Sequence, residues 1–385
     1  MIDLDKVRAT AARAIAPLRS ADKNTPAAKN FLFNAVRTDA SRSLPPYYLV
    51  YFLLVDLLGF KNLGQFEKIA WSVPVEFNGK AFLIEHRKFG LGIFAGKLPE
   101  DEEDAAQIAG LISRATKAAQ PYFVWRAEEA AKASELNVVN RSHALYVRFE
   151  FFEGLYTSKI LESIKRKNEY IEKKISKNSS IIMHPSADLK REAEHYAVAT
   201  IESFFSWTEH AFILIAILLG RCVTGEGVRQ LAQADWGTKF KEALDITDHE
   251  TKTFYDGLVH VRRQVRNFVA HGSFGKDGEA FAFHSQAGAV PMRIVDEHRG
   301  PHFQFGAGAG YADETTIGLL RQFVDHLWSG SRAPAYIYIQ ECQLPLVLTM
   351  AKDGTYERSM SSIDGMKEFA HYLSTQADRA ANMDF

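Results

Sequence analysis

The tract Arg266-Asn267-Phe268-Val269-Ala270-His271-Gly272 puts an arginine, a carboxamide, a histidine and a helix-stopping glycine into seven positions. Arginine offers a permanent planar cation for phosphate, and histidine exchanges protons near neutral pH. Metal-free cleavage of RNA needs a base for the 2′-hydroxyl, an acid for the leaving 5′-oxygen, and positive charge on the phosphorane between them. In that scheme His271 is base or acid, Arg266 stabilises the charge, and Asn267 orients the imidazole or the phosphate. Arg262 and Arg263 add a compact positive cluster for contacting RNA. Each chain offers one histidine in the tract, whereas base-plus-acid catalysis uses two proton carriers. The reading therefore predicts a composite site made by a two-fold dimer.

These residues must be positioned by a helix running from about Asp248 to His271, with Gly272 as its C-terminal stop. Arg263, Asn267 and His271 follow at i, i+4 and i+8 and form one stripe. Arg266 stands about 140° round the helix from His271 at 3.6 residues per turn. The pair must then act from opposite lips of a cleft. A long apolar helix is expected from about Leu189 to Leu219, stopped by Gly220. Glu209 sits on it among Phe204, Phe205, Trp207, Phe212 and Ile213. A half-buried carboxylate there needs a cationic partner, and Arg266 or Arg263 is expected to supply it.

The rest of the chain reads as a framework. Helices are expected at 1–20, 46–60, 102–118, 122–135, 143–177, 226–233, 237–245, 313–329 and 362–380. Alternating apolar residues around Asn78-Gly79 predict two or three antiparallel strands over Trp71–Phe94. Strands are also expected in GEAFAFH, VPMRIV and HFQFG, and at 335–340 and 344–350. At 385 residues the chain predicts two or three domains. A formal net charge of -1 supplies no global field for nucleic acid, so any RNA contact must be local. Cys222 and Cys342 stand far apart and form no paired zinc motif, which fits a reducing cytosol. The N-terminus lacks the apolar core of a signal peptide. The apolar runs Tyr47–Phe60 and Ala211–Gly220 fall short of the ~20 residues that cross a bilayer, so both read as buried helices.

The pattern R-N-x-x-x-H followed by Gly, closing a helix in a segment of four to five helices, resembles the HEPN domain superfamily over about residues 187–275. Many members of that superfamily are metal-independent endoribonucleases. They act as dimers with the motif at the interface, in toxin–antitoxin, abortive-infection and CRISPR-associated systems. Others serve as nucleotide-binding or interaction modules. The resemblance implies that Arg266 and His271 are the catalytic pair and Asn267 their polar neighbour. Glu209 is the best match to the further polar residue often found on the first long helix, and the resemblance implies it as the fourth candidate of the catalytic site. The fold class expected is mixed and mainly α: a HEPN-like antiparallel helical bundle with flanking small α/β (α+β) regions. Its segments would be a 1–100 α+β region with a β-hairpin, a 101–180 helical connector, the 187–275 bundle and a 276–385 α/β region. The function implied is a cytoplasmic, homodimeric endoribonuclease leaving a 2′,3′-cyclic phosphate and a 5′-hydroxyl, as a toxin or phage-defence effector. Partners would be RNA, a second copy and an antitoxin or other protein, with no membrane, cofactor or metal. The alternative is a catalytically inactive interaction or nucleotide-sensing scaffold.

Other signals read more plainly. Glu202 and His195 share a helix face with Glu209 and read as a solvated stripe. The basic run from Lys165 to Lys177 is diluted by Glu162, Glu169 and Glu172. Gly306–Gly310 lacks the Gly-Lys-Ser/Thr ending of a Walker loop and reads as a connection. Gly300-Pro301 breaks helical ligand spacing between His298 and His302. Glu85-His86-Arg87 has arginine where a nuclease Glu-x-Lys has lysine, and no Pro-Asp stands upstream.

Overall fold

The computed structural model describes residues 2–176, 179–271, 279–294, 303–305 and 313–382. Side chains at 266–271, 279–280, 293–294 and 304 lie outside that description. Helix outweighs strand by 61% to 16%, and the sheets are small and antiparallel, so the fold is mixed and mainly α. Contacts divide the chain into one unit of residues 1–133 with 371–385 and another of residues 134–370.

The first unit is built on a five-stranded antiparallel sheet. Its spatial order is Arg19–Ser20, Ile69–Phe77, Lys80–Arg87, Gly90–Ala95 and Val36–Arg37. Asn78 and Gly79 both take positive φ (49° and 74°), the two-residue turn that matches strand twist. That turn sets Val73 opposite Ile84 and Val75 opposite Phe82, with Ile84 opposite Ile93. These side chains bury one face against helices Leu4–Ile15, Tyr47–Tyr51 and Glu102–Ala118. Leu83 and Phe94 point the other way, against Phe31 and Ala35. Period-two alternation thus buries both faces.

The second unit is helical at its centre. Helix Ser142–Lys165 packs against the 34-residue helix Pro185–Leu218. Successive contacts run in opposite directions: Ser142 with Trp207, Phe149 with Phe204, and Lys159 with Glu192. The two helices are therefore antiparallel. Helices His249–His271 and Asp313–Leu327 form a second antiparallel pair. Thr251 meets His326, Phe254 meets Phe323, and Leu319 lies against Gly257. The pairs join through Phe204, Phe212 and Phe323, all fully buried.

Pro185–Leu218 contains an 18-residue window with mean hydropathy 1.3, long and apolar enough to cross a membrane. That window is longer than the ten-residue run apparent at Ala211–Gly220. It is 72% buried within the molecule, as in the core helix of a globular protein. Two further expectations are corrected. The 143–177 helix ends at Lys165, and an exposed hairpin of Ile171–Ser176 with Ser179–Met183 follows. The basic run thereby splits, and Arg166 pairs with Glu162 and Glu169. The 335–340 strand is instead helix, Ala333–Tyr336 continuing as a π-helical turn Ile337–Glu341. Pro334 presets its first turn, and burial of Ala335, Ile337, Tyr338, Ile339 and Gln340 leaves Tyr336 as the exposed residue of the stretch, too little to reveal a helical period.

Candidate functional site

Helix His249–His271 carries the tract, and its start is well fixed. Asp248 accepts from Thr251 N at 2.8 Å, capping the first turn. Thr251 Oγ1 and His326 Nε2 stand 2.8 Å apart. Burial holds the His326 imidazole below its usual pKa, helped by Arg332, so it packs against Phe254 as a neutral ring. Further along, Leu258, Val261, Gln264 and Val265 are buried and Arg263 is exposed. Backbone helix continues through Arg266 and Asn267 to His271, so the motif occupies the last turns of an element, as the sequence pattern predicts. The side chains of Arg266, Asn267 and His271 lie outside the described residues, as do Gly272, His298, His302 and Gly306–Gly310.

One turn before Arg266, a described ion cluster ties this helix to its neighbours. Arg262 Nη2 donates to Glu209 Oε1 and Lys239 Nζ to Glu209 Oε2, each at 2.9 Å. Lys239 is only 5% exposed, so its ammonium depends on that carboxylate. Asp235 places it: its side chain caps helix Trp236–Ala243 by accepting from Thr238 N at 3.0 Å, one residue before Lys239. The Arg262 guanidinium also lies 5.9 Å from the Phe205 ring centroid. Glu209 thus has the cationic partners its position demands. Those described are Arg262 and Lys239, where Arg263 or Arg266 was expected. Lys239 was invisible in sequence because a lysine inside WGTKFKEA reads as the polar side of a short amphipathic helix.

Beside Glu209, His210 Nε2 accepts from Arg141 N at 2.9 Å. Burial and Arg141 hold this imidazole below its usual pKa, leaving it neutral with its proton on Nδ1. It serves as an acceptor within the helix pair. His195 and Glu202 are exposed, as a solvated stripe requires. In the first unit, Glu85 is buried and bonded to Ser72 and Arg87, while His86 stacks on Tyr47 at 4.2 Å. This is the interior bonding of a sheet. Among the described residues no three His, Cys, Asp or Glu side chains gather to hold a metal ion.

Because Asp313–Leu327 runs antiparallel to His249–His271, the end bearing the tract is the end at which that partner helix begins. Asp313 opens it, and burial together with Glu194 pushes its carboxyl up to about 6. A helix N-terminus favours the carboxylate, yet desolvation outweighs it here. The folded state therefore binds a proton between pH 4 and 6 that the unfolded chain releases, and stability falls as pH rises through that window. Asp313→Asn is expected to raise the urea midpoint at pH 7.5 and to raise it only about a third as much at pH 4.5. An equal change at both pH values would contradict this assignment.

Comparison with models of known families, with characterised proteins and with solved structures gives no match for this chain.

Proposed function

We propose that the chain is a metal-independent endoribonuclease of the HEPN type acting as a homodimer. The supporting observation is that helix His249–His271 closes on the Arg266-x4-His271 spacing, one turn beyond Arg262, which Glu209 holds from the long helix. Arg266 would stabilise the phosphorane, His271 would move the proton, and Asn267 would orient one of them. The second histidine comes from the other copy. Glu209 enters as a positioning residue, fixing Arg262 and through it the helix that bears the tract. Arg262 and Arg263 are the proposed RNA contacts. Products would carry a 2′,3′-cyclic phosphate and a 5′-hydroxyl. A cytoplasmic toxin or phage-defence role, with an antitoxin or other protein partner, follows from the same reading, and the free thiols of Cys222 and Cys342 suit that compartment.

One observation favours a second reading, a catalytically silent HEPN-like module. Glu209, Arg262 and Lys239 already satisfy one another, as a purely structural cluster would. Incubating the purified chain with total RNA in chelator decides between them. Cleavage is expected, falling at least about 100-fold in His271→Ala and in Arg266→Ala. Cleavage that survives both substitutions overturns the assignment of these residues. Full activity from a strict monomer, judged by light scattering, overturns the shared site.

A further inference from the structure

We propose that a cleft of about 950 Å³ in the 134–370 unit binds a small protonated alkylamine. This goes beyond the ribonuclease reading and does not depend on it. The cleft is walled by the rings of Tyr146, Trp328 and Tyr336 and by Asp325, Glu341 and Gln340. Trp328 and Tyr336 meet at 63° with centroids 5.6 Å apart, so they form a corner rather than a stack. Ring faces set at an angle attract a cation through their quadrupoles.

The polar groups of the wall point to the same ligand class. Asp325 and Glu341 are exposed, and neither has an ion pair among the described residues. A third carboxylate, Glu150, lies 3.9 Å from Arg321, whose guanidinium is held mainly by Glu153 and Tyr146. Lys367 is the lysine of the wall and Glu150 is paired with Arg321, so two carboxylates without an ion pair among the described residues, Asp325 and Glu341, face one ammonium. Gln340 is 6% exposed and sits on the π-helical turn Ile337–Glu341. Such turns occur often at functional sites. Its Nε2 donates to Ser142 Oγ at 2.8 Å, while its Oε1 has no partner among the described residues. Carboxylates and an amide oxygen all accept hydrogen bonds. The matching ligand must donate them and carry positive charge, which an ammonium does and a phosphate or carboxylate ligand does not.

Calorimetric titration of the full chain with 1,4-diaminobutane, and with uncharged 1,4-butanediol as its isostere, tests the proposal. The diamine is expected to bind and to change tryptophan fluorescence, and the diol to do neither. Trp328→Ala should weaken diamine binding roughly 2- to 30-fold, the range of one cation–π contact. The exposed pair Asp325→Asn with Glu341→Gln should weaken it about tenfold or more without disturbing the fold. No binding at about 10 mM diamine, equal affinity for the diol, or unchanged affinity in both variants overturns the site.

Discussion

Glu209→Ala is expected to lower the stability of the chain by about 3 kcal/mol or more, measured as a loss of urea midpoint. The reason lies in its partner. Lys239 is 5% exposed and its ammonium is bonded to Glu209 Oε2, so removing the carboxylate leaves a buried cation uncompensated. Exposed pairs are worth about 0–1 kcal/mol, and the Arg262 contact alone, on a half-exposed guanidinium, would be of that order. Lys239→Met removes the stranded charge while keeping a long apolar stem. The double variant Glu209→Ala/Lys239→Met should therefore recover much of the loss, and the two substitutions should be strongly non-additive. Salt near 1 M should change the wild-type midpoint little through this pair, since buried charges are poorly screened. If Glu209→Ala costs under about 1 kcal/mol, the cluster is not structural and a direct catalytic role gains ground. If stability falls while cleavage by the surviving folded fraction is unchanged, Glu209 positions the fold and not the chemistry.

Local chemistry was legible in the sequence where one short segment carries the whole instruction. Asn78-Gly79 specifies a tight hairpin because both positions accept positive φ, and three strands form around it. Gly220, with φ of 68°, follows the long helix where an apolar run ends. The tract from Arg266 was visible for the same reason: residue types and spacing on one helix can be counted. What failed depended on partners distant in sequence. AYIYIQ alternates like a strand, but burial of every residue in it except Tyr336 blurs the solvent boundary that gives alternation its meaning, and Pro334 begins a helix there. The helix expected to run to residue 177 stops at Lys165, because a strand pairing between Ile171–Ser176 and Ser179–Met183 competes for the chain. The need of Glu209 for a cation could be deduced from its apolar neighbours. That Lys239, 30 residues away on another helix, meets it could not, since nothing local marks a lysine as buried.

Trp207→Ala is expected to cost about 3–5 kcal/mol, lowering the urea midpoint by about 1–2 M. Trp207 is fully buried at the crossing of the two longest helices, with ring centroids of Tyr146, Phe149, Phe204 and Trp328 between 4.7 and 6.4 Å away. Truncation leaves a void among rings that cannot collapse together, and that term dominates. A smaller polar term adds to it. Trp207 Nε1 donates to Ser142 Oγ at 2.9 Å, and Gln340 Nε2 donates to the same oxygen. Trp207→Phe separates the two terms. It refills most of the void and removes only the N–H, and Ser142 keeps Gln340 as a partner, so the cost should be about 1–2 kcal/mol. Ser142→Ala, which strands both donors, should fall between the two tryptophan variants. If Trp207→Phe is as damaging as Trp207→Ala, hydrogen bonding and not packing holds this crossing. The same series reports on the cleft, whose wall includes Trp328 and Gln340. Trp207→Phe should retain amine binding, and Trp207→Ala should weaken it by no more than Trp328→Ala does, because Trp328 then has no ring behind it.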